Sequence, residues 1–490
     1  MIHWGKIPLS RTIQNLLWEF QLEFKENDGI LTDFRTMHIH FIAIGGSAMH
    51  NLALALHDAG HRVSGSDDHI NEPSRGRLER AGLLPPEEGW FPHQITAAID
   101  RIILGMHAKP DNPELLRASE LGLTIQSYPE FLHEINAQKK RVVIGGSHGK
   151  TTITSMLMHA LRGTNVQFNY MVGAQLEGFE RMVELQSEGE WAILEGDEYL
   201  SSPIDRRPKF LWYEPEVALL SSIAWDHINV FPTEAEYAEQ FSLFLKTVLP
   251  GGVVVWCQEN TRLAEIIASC GRKDLNWVTY QTPKHKTLPD GLSELTFPDG
   301  AIIHTTLVGA HNYQNIAGAR ELARIMNVNL SAFDSAIEHF KGAARRLETF
   351  SEGERFTVYR DFAHAPSKVS ATTTAVKAAF PLRKLTAVFE LHTFSSLNAE
   401  FLPTYANALE AADEAIVFYS PAVLTQKGLP ALDPEFIRSC FGGDSSLQIM
   451  TDVAELEQVI GSVSLEHRTI LLMSSGWFQG ADFSSSLALS

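Results

Sequence analysis

Cysteine is scarce. Cys257, Cys270 and Cys440 are the three in 490 residues, far apart and without a CxxC pair. That excludes a disulfide framework, and a reducing compartment, the cytoplasm, is expected. No apolar run approaches the roughly 18 residues of a membrane span, so no membrane insertion is expected. Positive charge is also short: 40 Lys and Arg against 59 Asp and Glu leave a net charge of −19. Coating nucleic acid or anionic membrane needs a cationic face, so a nucleic-acid partner is excluded; a small anionic ligand needs only a local cluster of donors. Low-complexity tracts are missing too. With 44% hydrophobic and 20% charged residues the chain has material for folded cores, and at about 150 residues per domain the length suggests three.

Residues 1–36 lack the roughly 7–15-residue apolar stretch of a secretory signal. Ile13, Leu16, Phe20 and Phe24 fall at helical spacing, which permits a short amphipathic docking helix. The plainer expectation is an upstream extension outside the fold, with Met37 as the working start.

Three strand–glycine–helix units divide the rest. The first, residues 38–68, runs from a β-rich segment into Gly45-Gly46, then a helical pattern (Ala48, Leu52, Leu56), a stop at Gly60 and a second strand ending at Asp67. An acidic residue roughly 20 positions after the first glycine is close to a dinucleotide-binding fingerprint, but His50 stands in place of the third glycine, so nicotinamide chemistry is a poor fit.

The second unit, residues 141–163, carries a strand (Val142–Ile144) into Gly145-Gly146-Ser147-His148-Gly149-Lys150-Thr151-Thr152 and then an apolar-periodic helix. This is the context of a phosphate-binding loop: backbone N–H groups turn inward, and the helix N-terminus adds its positive end. Lys150 supplies a mobile charge and the Thr151 hydroxyl suits Mg²⁺. Ile144 stands where the usual spacing has glycine, so the loop is a shortened variant.

The third unit begins near residue 343. Phe356–Phe362 reads as a strand, 364–380 as a turn and helix, and Leu385–Phe389, Ala415–Phe418 and Thr469–Met473 as further, mostly parallel, strands.

Four constellations lie between these landmarks. The strand of WAILEGDEYL (191–200) ends in Glu195, Asp197 and Glu198, placed either to hold Mg²⁺ or as a solvated acidic loop. VALLSSIAWDHINVFP (217–232) brings Asp226 and His227 to a strand's carboxyl end, where His227 can bind metal, orient water or close a turn. His311, Asn312 and Asn315 open a helix after Gly309; the two amides share a face and can meet an adenine edge or cap the helix. Arg345 and Arg346 sit at the join of the second and third units, where an arginine can reach a phosphoryl group when domains close, and DFAHAP (361–366) ends a strand with Asp361 and His364.

In their order, GGSAM, GSHGKTT, EGDE, WDH, GAHNYQN, ARRLE and DFAHAP resemble the Mur ligase family of peptidoglycan amide-bond-forming enzymes, over essentially the whole chain from Met37. The stretches 105–116, 387–398 and 473–480 are most similar to the recycling branch that uses a murein tripeptide. The resemblance implies an α/β chain of three domains: a Rossmann-like UDP-sugar-binding domain (37–140), a central P-loop ATPase domain (141–342) and a Rossmann-like C-terminal ligase domain (343–490). It implies ATP and Mg²⁺ as cofactors. Lys150, His227 and Arg346 would be catalytic. Gly146, Ser147, His148, Gly149, Lys150, Thr151, Thr152, His311, Asn312, Asn315, Arg346 and Asp361 would hold the nucleotide, and Thr151, Glu195 and His227 the metal. Gly45, Gly46, Ser47, Met49, Asp67 and His107 would lie along the UDP-sugar.

The implied reaction joins the lactyl carboxylate of UDP-N-acetylmuramate to the L-Ala amine of L-Ala-γ-D-Glu-meso-diaminopimelate through an acyl phosphate. L-Alanine as the amine is the alternative, and an inactive nucleotide- or UDP-sugar-binding regulator is a second. Ser222, Asn229, Leu200 and Ala365 depart from the family's commoner residues.

Overall fold

The structure, a computed structural model, describes residues 36–288, 292–344, 346–443 and 446–487. The helix expected over residues 13–24 and the side chain of Arg345 lie outside them.

Residues 37–127 build a four-stranded parallel sheet from β1 (His38–Ile42), β2 (Arg62–Ser66), β3 (Arg101–Leu104) and β4 (Ile125–Ser127), in the order β2-β1-β3-β4. Helix α1 (Ser47–Asp58) follows β1 and buries Met49, Leu52, Ala53 and Leu56; Gly60, at φ +89°, ends it as the sequence predicts. The second strand stops at Ser66, one residue short of Asp67, whose carboxylate turns back to the Gly45 amide.

The central sheet has seven strands: β5 (Lys140–Gly145), β6 (Phe168–Met171), β7 (Val183–Glu184), β8 (Trp191–Gly196), β9 (Val217–Leu220), β10 (Val253–Cys257) and β11 (Asn276–Tyr280), ordered β11-β10-β9-β5-β8-β6-β7. All pairs are parallel except β6–β7. Continuous apolar runs such as VALL and VVVWC suit strands covered on both faces. The covering helices include α2 (Lys150–Arg162), α3 (Glu234–Thr247) and α4 (Ala310–Ile325). A capping box starts α3, where the Thr233 hydroxyl accepts from the Glu236 amide and the Glu236 carboxylate accepts from the Thr233 amide. The helix buries Tyr237, Phe241 and Phe244, and the last stacks on Phe210 at 4.6 Å between centroids. A small antiparallel sheet, β12 (Lys284–Thr287), β13 (Ser293–Thr296) and β14 (Ile302–Thr305), leads into α4.

The last sheet comprises β15 (Glu348–Gly353), β16 (Phe356–Asp361), β17 (Lys384–Leu391), β18 (Glu414–Tyr419), β19 (Gln448–Met450) and β20 (Arg468–Met473), ordered β15-β16-β20-β17-β18-β19. Only its β15–β16 edge is antiparallel. Helix α5 (Pro366–Ala379) follows β16, with Pro366 in its first turn, where the missing N–H is not needed. Thus the expected α/β architecture with predominantly parallel sheets is what forms.

Candidate active site

The turns after β1, β5 and β16 carry side chains toward one cleft. After β5 the backbone rounds Gly149 at φ +78°, and a Cβ there would lie 2.3 Å from Asn315 Oδ1, so torsion and space both require glycine. The loop is pinned from behind: the Ser147 amide donates to the Ser222 carbonyl (2.8 Å), and Ser147 Oγ meets Tyr237 OH at 2.7 Å. Lys150 Nζ donates to the Gly146 carbonyl (2.6 Å) and to Glu198 (2.7 Å). Burial works against its charge, yet Glu198 and Asp197 hold Lys150 above the ordinary lysine range.

Thr151 Oγ1 donates to Glu195 Oε1 at 2.8 Å, and Glu195 Oε2 accepts from the Gly173 amide at 2.6 Å. Arg346 arrives from the far side of the cleft, with Nη2 3.3 Å from Thr151 Oγ1. His227 sits beside a different pair. Ligand atoms of Asp197, Glu198 and His227 all lie within 4.8 Å of one another, the one such group of three among the described residues. The expected metal set is therefore split: Thr151 and Glu195 touch, while His227 converges with Asp197 and Glu198. Both groups are oxygen-rich and fit a hard cation such as Mg²⁺. Lys209 pairs with Asp197 at 2.5 Å; despite burial, Lys209 and Lys150 hold that carboxyl well below its usual range.

The segment bearing Asp226 and His227 differs from expectation. Strand β9 ends at Leu220, and the chain leaves the sheet because it braces the phosphate loop instead. Ser221 Oγ donates to the His148 carbonyl, and the Ala224 amide to Ser147 Oγ at 2.8 Å. His227 takes φ +57° and packs its ring edge-on to Tyr199. Trp225 packs on Phe401 from beyond β17, tying this segment to the last sheet.

A 380 Å³ cavity gathers these groups. Gly46, Ser47, Met49 and His107 line it from the first sheet, Ser147 to Thr152 from the loop, and Glu195, His227 and Arg346 from the remaining sides. Gly45 and Asp67 are not among its lining residues; Asp67 is buried and accepts from the Gly45 amide at 2.7 Å. Gly146 is also behind the wall, with its carbonyl taken by Lys150.

An adjoining 160 Å³ cavity is lined by His148, Gly149, Thr152, His311, Asn312, Asn315, Arg346 and Asp361. Asn312 Nδ2 donates to the Val308 carbonyl (2.8 Å), which ties the helix start to the preceding strand–helix turn; no side chain caps the helix, whose N-cap is Gly309. Burial lowers His311 to about 4, leaving it a neutral imidazole near neutral pH. Both Asp361 oxygens accept backbone amides, from Leu347 (2.6 Å) and Ala363 (2.7 Å), which fixes the hinge beside Arg346. Burial pushes its carboxyl up, and Arg346 opposes the shift.

Lys209 and Lys368 line this cleft and buried Tyr237 braces it from behind, but none of the three carries a motif. Tyr237 falls at helical spacing with Phe241 and Phe244 and reads as core, and Lys209 and Lys368 are single lysines in ordinary surroundings.

Comparison with known proteins settles the family. Residues 38–140 match the model of the Mur ligase family catalytic domain, 144–323 the Mur ligase middle domain and 345–476 the Mur ligase glutamate ligase domain. The chain belongs to the Mur ligase family. It is thereby an ATP-dependent amide ligase forming ADP and phosphate, which removes the dehydrogenase reading.

A UDP-N-acetylmuramate–L-alanine ligase from an Arthrobacter species is 31% identical over 388 residues, 77% of this chain and 80% of that protein. A murein peptide ligase from Psychrobacter arcticus superposes with a TM-score of 0.65 at 23% identity, over 93% of this chain and 99% of that one. The UDP-N-acetylmuramate–alanine ligase from Thermotoga maritima gives 0.70 at 20% identity, over 92% and 99%. No helix among the described residues is long and apolar enough to cross a membrane.

Proposed function

We propose that this Mur ligase joins UDP-N-acetylmuramate to the L-Ala amine of a murein tripeptide, L-Ala-γ-D-Glu-meso-diaminopimelate, in peptidoglycan recycling. Residues 37–140 would hold the UDP-sugar along Gly46, Ser47, Met49 and His107. Residues 141–342 would hold ATP, and 343–490 would close over it with the peptide. Cytoplasmic action belongs to the same reading.

A carboxylate is a poor electrophile, so it must first gain a leaving group. The lactyl oxygen attacks the γ-phosphorus and ADP departs. The neutral amine then attacks the acyl carbon, inorganic phosphate leaves with the C–O electron pair, and the proton shed by the amine nitrogen goes to the departing phosphate. Two anions must meet in the first step, and Lys150, held charged by Glu198, and Arg346, poised at Thr151, would screen them. Thr151 and Glu195, with Asp197, Glu198 and His227, are the groups that would hold Mg²⁺, which supplies further screening of phosphate charge. His311, Asn312 and Asn315 would take adenine and ribose. Asp361 would reach the ribose only with lone pairs left over from its two backbone bonds.

The observation that carries the tripeptide is at the carboxyl ends of β17 and β20. Glu390 Oε2 accepts from Ser474 Oγ and from the Phe478 amide (2.9 Å), interlocking the two stretches that resemble the recycling branch. Around them stand His392, the exposed Phe394 and the exposed Trp477, a broad apolar and polar face suited to a peptide rather than one alanine. The second reading, L-alanine as the amine, is favoured by the names of the sequence relatives.

ADP release with ATP, UDP-N-acetylmuramate and either amine separates the two. The tripeptide is expected to give a kcat/KM at least about 10-fold above L-alanine, a difference of ~1.4 kcal/mol in transition-state binding. The reverse preference would establish the second reading.

A further inference from the structure

One cation in the cleft has no motif and, among the described residues, no direct hydrogen bond to account for it. Lys368 projects from the first turn of α5, on the last sheet's side, and lines both the catalytic cavity and the adjoining nucleotide cavity. Its side chain is 20% exposed, and its Nζ lies 3.7 Å from Asp226 Oδ2, beyond hydrogen-bond reach. Asp226 is shared: it also faces His364 Nε2 at 3.7 Å and accepts from the His227 amide at 2.7 Å. Neighbouring Ser367 meets His148 of the phosphate loop, Oγ to Nε2, at 3.1 Å, so α5 already touches the loop at its start.

The charges around Lys368 are mixed: two carboxylates and two cations act on it, so its own charge is the excess. Burial lowers its pKa, Asp226 and Glu198 resist, and Lys150 and Arg346 lower it further. Lys150 has Glu198 as a close partner and Arg346 has Thr151; Lys368 has a carboxylate at a distance. A buried ammonium so placed is completed by an anion entering the cavity.

We infer that Lys368 is a catalytic residue that contacts the transferring γ-phosphoryl group, with Asp226 as the positioning residue that aims it. This rests on the cleft being the ATP site. In the first step the bond from lactyl oxygen to γ-phosphorus forms as the bond to the β,γ-bridging oxygen breaks, and that electron pair leaves on ADP. No proton moves, and Lys368 remains an ammonium throughout, offsetting charge that gathers on the equatorial oxygens. Because Lys150 comes from the phosphate loop and Lys368 from the last domain, the phosphoryl group is gripped from both sides only when these units are together. Phosphoryl transfer is thereby tied to closure.

The test compares Lys368→Met and Lys368→Arg with the wild-type chain, using ADP and β,γ-methylene-ATP as binding probes and ADP release as the turnover readout. Lys368→Met is expected to lower kcat about 100-fold, to weaken the γ-bearing analogue about 10-fold and to change ADP affinity by less than about 3-fold. Lys368→Arg, which keeps the charge, is expected to stay within about 10-fold of wild-type turnover and to retain the preference for the analogue over ADP. Equal losses for both nucleotides, an unchanged kcat in Lys368→Met, or Lys368→Arg as inactive as the Met variant would each overturn the assignment. If Lys368→Met does not fold, the Arg variant alone decides. Failure of the wild-type chain to bind either nucleotide would instead overturn the ATP-site reading beneath it.

Discussion

The turn after β1 and the turn after β5 are made of the same parts: a buried parallel strand, a pair of glycines and a helix entering with its amides open. They end in opposite charge. In the first, Asp67 has folded back so that its carboxylate takes the Gly45 amide, and a buried anion already occupies part of the helix entrance. In the second, no acid enters the loop itself; Lys150 stands at its end and is held by Glu198 from the neighbouring strand. A helix N-terminus attracts anions in both cases, but where the chain supplies its own carboxylate, less of that attraction remains for a ligand. The first turn thus keeps less attraction for a ligand's negative charge than the second, whose entrance is open.

The largest effect is expected from removing the charge that distinguishes them. Lys150→Ala should lower ADP release at least about 1,000-fold, the scale at which a cation on a transferring phosphoryl group contributes. It should also weaken the fold by about 3 kcal/mol, because buried Glu198 loses its ammonium partner. Lys150→Met combined with Glu198→Gln should recover most of that stability, read from chemical denaturation, without recovering turnover. If the single variant turns over normally, the two loops do not differ in the way described.

A methyl group placed in each turn comes next. Gly149→Ala must accept φ +78° with its Cβ 2.3 Å from Asn315 Oδ1, and should cost about 2–3 kcal/mol of stability and at least about 10-fold in nucleotide affinity. Gly45→Ala brings its Cβ 2.9 Å from Asp67 Oδ2 and 3.1 Å from Ile70, where side chains can shift, so about 1 kcal/mol is expected. Its affinity loss should fall on the UDP-sugar and spare ADP. Calorimetric titration of both variants with both ligands gives the crossed pattern; a loss of the same ligand in both would break the comparison.

Most of this was legible as pattern. The strands β1, β5, β8, β16 and β20 announce themselves as apolar runs; Glu195 and Asp361 stand at the carboxyl ends of β8 and β16, and Gly45 and Lys150 follow β1 and β5, all at readable spacing. What stayed hidden has one physical source: groups that meet across separate elements. The small antiparallel sheet of β12–β14 has short, half-polar strands with no periodicity to betray them. Tyr237 looks like one more aromatic on the apolar face of α3, yet its hydroxyl reaches Glu198 at 2.8 Å. Asp226 and His227 were expected at a strand's end, but Ser221 and Ala224 are needed to brace the loop, and the strand stops early. The pairing of His227 with Asp197 and Glu198 rather than Glu195 depends on that detour.

The smallest effect separates the turns by pH. Beside the second turn, half-buried His311 has its pKa lowered by burial to about 4, against 6.5 in an unfolded chain. Its contribution to stability is complete above pH 6.5 and is lost as pH falls toward 4, because the unfolded chain binds the proton first. Beside the first turn, burial raises Asp67 above its ordinary 3.8. Here the native state is penalised while the carboxyl is ionised, and the penalty is relieved as pH falls through the raised value toward 3.8. Acidification therefore acts on the two flanks with opposite sign. His311→Gln should flatten the fall in stability between pH 6.5 and 4.5 by about 1 kcal/mol, a full shift of this size being discounted for the ring's partial exposure. Asp67→Asn should instead remove the compensating rise that accompanies protonation of the native carboxyl. Denaturation midpoints of the two variants against pH would diverge from wild type in opposite directions; divergence in the same direction would mean that the flanks of the two turns titrate alike.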